Sequence, residues 1–247
     1  MLERRIEEAA LNSWPALQQM HYDGWLLRFA RGYTKRANSI TPLYSSLLPL
    51  ASKIDVCEYF YREKKLPTIF RLPSFLETVP ELDQLLEQRG YRHMSRTLVL
   101  TSELTPEAEV QDADPVLSKA SLTTWLSIFS QLSQSPIERH QPHQEILERI
   151  VSRPLFAALR INKAPVACGL GVLENDIFGM FDVLTAPDQR KKGYGTQLVR
   201  SMLDWARQQN ATYAYLQVVA TNQDALGVYK NLGFNELYSY WYRMRSL

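Results

Sequence analysis

Seven consecutive residues, Arg190-Lys191-Lys192-Gly193-Tyr194-Gly195-Thr196, have the types and spacing to hold an anion. Two glycines one residue apart let main chain approach a ligand with no Cβ in the way, and a helix that starts there presents unpaired backbone N–H groups at its positive end. Upstream, the apolar run from Ile177 to Thr185 reads as a strand ending before Pro187; downstream, Leu198, Val199, Met202, Leu203, Trp205 and Ala206 recur at helical spacing. The order strand, glycine loop, helix predicts a site for phosphate or pyrophosphate. Lys191 and Lys192 read either as added positive charge for that ligand or as two solvated loop lysines.

A second constellation stands about twenty residues further on: the strand Leu216-Gln217-Val218, then Asn222, Ala225, Tyr229 and Gly233-Phe234. The two motifs in this order resemble the GNAT superfamily of N-acetyltransferases. The resemblance implies an α+β fold, a mixed and mostly antiparallel sheet with splayed central strands flanked by helices. It implies acetyl-CoA as co-substrate, with the loop Arg190, Lys191, Lys192, Gly193, Tyr194, Gly195 and Thr196 around the pyrophosphate. Val183, Leu184 and Thr185 would offer main-chain groups to the pantetheine arm and the acetyl carbonyl. Asn222 and Ala225 would meet the pantetheine from the next helix, and Tyr229 would sit by the sulfur. The family often has Gly where this chain has Lys191, and a branched apolar residue where it has Thr185.

Direct acetyl transfer to an amine needs an aligned thioester, a neutral amine and a proton for the departing thiolate. Tyr229 is the expected acid, since a phenol with a pKa near 10 suits a sulfur that becomes basic as its bond breaks. The base stays open between Asp182, Glu174 and water; strict alternation turns Asp182 away from the face of Phe181 and Val183 unless a bulge intervenes, and Glu174 reads as a turn residue. The expected activity is acetyl transfer to a primary amine of a small molecule, peptide or protein. The alternative is a CoA-binding regulatory or scaffold protein without turnover, for which an acid at Tyr229 would be superfluous.

Composition bounds the rest. The chain has 247 residues, 45% hydrophobic and 22% charged, with 28 Lys and Arg interspersed among 26 Asp and Glu. Neither nucleic acid nor membrane binding is expected from a net charge of +2, and no apolar run approaches the roughly 20 residues that span a bilayer. The amphipathic start, Met1 to Glu8, does not read as a secretion signal, so a cytoplasmic protein is expected, as a monomer or homodimer. Cys57 and Cys168 read as buried thiols, and the pair His140 and His143 as part of a loop with no metal.

The polar, acidic segment 101–115 with two prolines reads as a linker between residues 1–100 and 116–247. After it the pattern predicts helices over Val116–Gln131 and His143–Val151, strands over Leu155–Ile161, Pro165–Leu173 and Ile177–Thr185, the two motifs, and a final hairpin through Trp241-Tyr242. The first half follows the same plan in degraded form: strands at Trp25–Ala30, Arg36–Thr41 and Thr68–Leu72, helices at Leu50–Arg62 and Leu82–Gln88, closing on Gly90-Tyr91. In that register Ser45 stands for Arg190, Leu48 and Leu50 for the two glycines, and Leu86 for Tyr229, so branched side chains are expected to exclude phosphate from a non-catalytic first half. Arg28, Lys35, Arg36 and Asn38 form a polar cluster there, read as inter-domain hydrogen bonding, as a solvated strand face or as a substrate contact.

Overall fold

Period-two burial in the strands organises the molecule: in the strand Ile177–Thr185, Phe178 and Met180 enter one core while Ile177 and Phe181 enter another on the opposite face. The computed structural model describes residues 1–105 and 117–246. In chain order these form α1 (Leu2–Ser13), β1 (Gln18–Tyr22), β2 (Trp25–Phe29), β3 (Ile40–Thr41), α2 (Leu50–Glu63), β4 (Thr68–Pro73), α3 (Val79–Gln88) and β5 (Arg92–Glu103). Then follow β6 (Ser118–Lys119), α4 (Leu122–Ser133), α5 (Gln141–Leu147), β7 (Arg153–Ile161), β8 (Ala164–Glu174), β9 (Ile177–Thr185), α6 (Tyr194–Gln208), β10 (Tyr213–Val219), α7 (Gln223–Asn231) and β11 (Asn235–Arg245).

The strands make one sheet of eleven, in the order β1-β2-β3-β4-β11-β5-β10-β9-β8-β7-β6. It is antiparallel except at β3–β4 and β9–β10. Helices α1, α4 and α5 cover one face through Ile6, Trp125 and Ile146, with Trp14 just after α1, and these meet Phe181, Tyr215 and Tyr238. The other face carries α6 and α7 over the later strands and α2 and α3 over the earlier ones. None of the described helices is long and apolar enough to cross a membrane.

The succession β1-β2-β3-α2-β4-α3-β5 recurs as β7-β8-β9-α6-β10-α7-β11. The last strand of each set, however, lies in the other set's half of the sheet: β5 pairs with β10, β11 pairs with β4, and the two pair with each other. Strand β5 also runs through the position expected to divide the halves, so the expected linker begins inside a strand; residues 106–115 lie outside the described residues. The polar letters Thr101-Ser102-Glu103 read as linker because their side chains are partly exposed, although their backbones are paired with β10.

Four other expectations change. Residues 35–37 form a 3-10 turn, not a strand, because the Asn38 side chain accepts from Ala30 N at 2.7 Å and Gly32 N at 2.9 Å and donates to Thr34 O at 2.7 Å, taking up groups a ladder would use. Helix α4 starts at Leu122, where Ser121 Oγ caps Thr124 N at 3.2 Å; Val116 lies outside the described residues. His140 and His143 stand on a 3-10 turn and on α5, which begins at Gln141 and ends at Leu147, since Pro142 sits at the helix start, where its missing N–H costs nothing. The final hairpin is one long strand through Trp241 and Tyr242, with β4 on one side and β5 on the other.

Candidate active site

Strands β9 and β10 are parallel neighbours only from Tyr213–Ile177 to Leu216–Met180; beyond that pair they diverge, β9 staying with β8 to Thr185 and β10 with β5 to Val219. The expected splay is therefore present. A bulge shapes the β9 side of it: Phe181 faces Leu170 and Leu184 faces Cys168, so Asp182 and Val183 together oppose the single residue Gly169. Asp182 takes φ +49° there. This departs from strict alternation and turns the Asp182 carboxylate toward α5, with Oδ2 2.9 Å from His143 Nε2 but out of line for a hydrogen bond. The rings of Trp14, Tyr33, Trp125 and Phe129 surround the buried His143. Glu174, at the end of β8, accepts from Asn12 and Ser152 at 3.0 and 2.8 Å and stands away from the splay.

After Thr185 the chain makes a short 3-10 turn and then the glycine loop. Lys191 has φ +60° and Gly193 φ +83°, which bends the loop so that Gly193 becomes the N-cap of α6 with no side-chain cap. Gln197 N bonds Gly193 O at 3.0 Å, and the N–H groups before it have no helical acceptor. At Gly195 an added Cβ would stand 3.1 Å from Thr185 Oγ1, so loop and strand end approach closely.

Opposite them is the start of α7, where Asn222 Oδ1 caps Ala225 N at 3.2 Å. Between these elements lies a cavity of about 610 Å³, walled by residues 183–185, the loop from Arg190 to Thr196 without Lys192, and Asn222 and Ala225. Three lining residues escaped the sequence reading: Gln189, Asp224 and Val228. Nothing in their types announces a site; only the turn of helix and loop brings them there. Lys192 points off the wall, donating to Gln189 Oε1 at 3.0 Å. Tyr229 is half-buried beside the wall and not part of it: Val228 lines the cavity, and the Tyr229 ring packs edge-on to Phe234, centroids 6.1 Å apart. Burial pushes its phenol pKa up.

The equivalent place in the first half is closed by different means from those the sequence suggests. Of the two leucines in the glycine positions, Leu48 is exposed and Leu50 is half-buried as the first residue of α2. The loop's N–H groups are instead taken by the chain's own anion: the Asp23 carboxylate accepts from Leu47 N and Leu48 N at 3.0 Å each and pairs with Lys53 at 3.0 Å. The bonds from Leu47 and then Leu48 hold the Asp23 pKa below its ordinary value. Leu86, in the register of Tyr229, is core. Of the polar cluster, Arg28 is buried and donates to the carbonyls of Leu11, Trp14 and Arg36, and Asn38 holds the turn already described. Cys57 and Cys168 are buried free thiols, each pushed up to about 12 by burial. Among the described residues no group of three or more His, Cys, Asp and Glu is placed to hold a metal ion.

The chain is similar over almost its whole length to an uncharacterized N-acetyltransferase, YobR, of Bacillus subtilis, 28% identical over 98% of both chains. It is 25% identical to the probable histone acetyltransferase Rv0428c of Mycobacterium tuberculosis over 94% of this chain and 70% of that one. A GCN5-related N-acetyltransferase from Kribbella flavida shares the fold, with a TM-score of 0.69 at 14% identity, covering 98% of this chain and 95% of that one. The family described as probable histone acetyltransferase Rv0428c, C-terminal, matches residues 3–243. A match of that span, on a sheet that splays beside a glycine loop and helix start, makes the chain a member of this family and a GNAT-type acetyltransferase.

Proposed function

We propose that the protein transfers an acetyl group from acetyl-CoA directly to a primary amine of a small molecule, peptide or protein. The observation that carries this reading is the cavity at the splay, one wall of which is a helix start with unpaired N–H groups and no side-chain cap. That wall fits a pyrophosphate: Gly193 leaves open space where a Cβ would be, and Arg190 and Lys191 border it. The stretch lined by the end of β9 on one side and Asn222 on the other fits a pantetheine arm. Bound there, acetyl-CoA supplies the acyl group activated as a thioester.

The chain's own groups do the rest. Backbone N–H groups of residues 193–196 hold the pyrophosphate. Main-chain donors at the bulged end of β9 stabilise the charge that grows on the carbonyl oxygen during attack. The Tyr229 hydroxyl gives its proton to the departing sulfur, its raised pKa keeping the phenol protonated through the neutral range. We read the recurring element order as a tandem GNAT arrangement, residues 1–100 being a degenerate half and 116–247 the catalytic one. The two buried free thiols suit a reducing, cytoplasmic setting. The test is thiol release from acetyl-CoA over a panel of amines, with calorimetry for CoA. Binding together with amine-dependent release is expected; absence of CoA binding in the folded protein rejects the reading.

A further inference from the structure

Among the buried and half-buried arginines, Arg28 donates to three carbonyls, Arg71 to Glu7, and Arg243 to Asp83 and Glu87. Arg36 differs. Its half-buried guanidinium makes no hydrogen bond or ion pair with any described residue, and its Nε is enclosed without an acceptor. What holds it is aromatic: the guanidinium carbon lies 5.2 Å from the Trp14 ring and 5.4 Å from the Phe181 ring, whose centroids are 6.2 Å apart. This near-equilateral triangle seats a cation from the first half on the seam with β9, edges free to donate.

The seat lies at the mouth of the splay. Phe181 is the first residue of β9 after the last β9–β10 pair, and across the opening stands Gln217, next after the paired Leu216. Phe181 and Tyr215 share the core under α1, and Gln217 follows Tyr215 by two residues, so both flank the opening on the face opposite α6 and α7. Gln217 Nε2 is also enclosed without an acceptor, while its Oε1 is fixed by the Tyr240 hydroxyl at 3.0 Å. The Tyr215 ring stands edge-on to Phe181, centroids 5.9 Å apart, and Phe181 in turn lies 5.4 Å from the guanidinium carbon, so the cation sits on this same face. Two orphan donors, one of them cationic, thus flank the opening on the side away from the cofactor cavity. An enclosed donor left unmatched is costly, and a planar fork with a neighbouring amide suits the paired oxygens of a carboxylate.

We propose that the acceptor carries a carboxylate beside its amine, and that Arg36, with Gln217, binds that carboxylate so that the amine enters the splay. This rests on the acetyl-transfer reading for which group is acceptor, and on the geometry alone for the carboxylate site. The test measures binding of the N-acetyl derivatives of the common amino acids and of their carboxamides, with and without CoA. At least one acid should bind about tenfold or more tightly than its amide. Arg36→Met should erase that preference and Arg36→Lys retain part of it, with melting temperature and CoA affinity unchanged in both. The same acid-over-amide preference should appear in thiol release from acetyl-CoA with the free amino acids and amino amides. Equal binding of acids and amides across the panel, or a preference that survives Arg36→Met, overturns the proposal. Loss of CoA binding with acid preference intact overturns the cofactor reading instead.

Discussion

At Tyr229 one hydroxyl separates a catalytic acid from a packing ring. Tyr229→Phe keeps the ring against Phe234 and the helix around it, so CoA affinity should hold while kcat falls by about 10²- to 10⁴-fold, the usual worth of general acid catalysis. Because burial raises this pKa, the protonated, active form persists past the ordinary value of 10.0. An alkaline limb due to Tyr229 should lie above that pH in the wild type and vanish in the variant; a variant with wild-type kcat, where chemistry limits turnover, demotes the residue. The glycines are tested by binding. In Gly195→Val a branched side chain must start 3.1 Å from Thr185 Oγ1, and in Gly193→Val it must adopt φ +83°. Either change should raise the CoA dissociation constant at least tenfold, about 1.4 kcal/mol, by calorimetry on the folded variant. These glycines were legible in the sequence because backbone geometry demanded the residue type. The same demand falls on Lys191, where the resemblance leads one to expect Gly and φ is +60°. Val228 and Asp224 carried no such mark; they line the cavity through helix phase alone.

Elements place these residues, and α1 places more than its amphipathic pattern announced. Glu7, fully buried on α1, takes Arg71 of β4 at 2.9 Å and the Tyr238 hydroxyl of β11 at 2.5 Å, with the Arg71 guanidinium 3.8 Å over the Tyr240 ring. The same helix supplies Ser13 Oγ, 3.3 Å from the Tyr215 hydroxyl, and leads into Trp14 beside the splay. Glu7→Gln leaves the Arg71 charge enclosed without its counter-charge, a loss of about 3–5 kcal/mol. Urea unfolding should show this as a lower midpoint with unchanged slope, and a midpoint equal to wild type would mean that α1 is anchored by its apolar face alone. A Glu in the first turns of a helix reads as solvated from sequence, since its partners lie 64 and 231 residues away. A bulge at Asp182 could be named from the sequence only as a condition: the letters of β9 alternate no differently for the extra residue, and the pairing with β8 is what reveals it. The 3-10 turn at residues 35–37 and the cap at Ser121 did have signals, Asn38 and the Ser-x-x-Thr spacing, which the apolar pattern around them outweighed.

Across the whole molecule the two halves differ in what fills the cradle and agree in how they are closed. The first half meets its loop N–H groups with Asp23, so the chain should bind one CoA per protomer, at the later loop; calorimetry giving two sites per chain would refute this. Repetition of the element order was legible because apolar runs and closing Gly residues recur, but the sequence could not show that the last strands change places, since pairing partners of β5 and β11 are chosen by long-range register. The exchange has a direct consequence for dissection. A fragment of residues 101–247 cuts β5 within its length, leaving β10 only the partners Thr101, Ser102 and Glu103 of the seven that extend from Glu103 to Thr97. It also removes β4 entirely, so β11 loses its pairs from Pro73 to Thr68 on one side and most of β5 on the other. Two long strands with unpaired backbone and the apolar rings of Tyr238, Tyr240 and Tyr242 exposed make an aggregation template. The fragment should therefore be insoluble or associated in size-exclusion chromatography and inactive in thiol release, and co-expression with residues 1–105 should restore a soluble complex. A soluble, monomeric and fully active fragment would show that the exchanged strands are dispensable and that the later half folds alone.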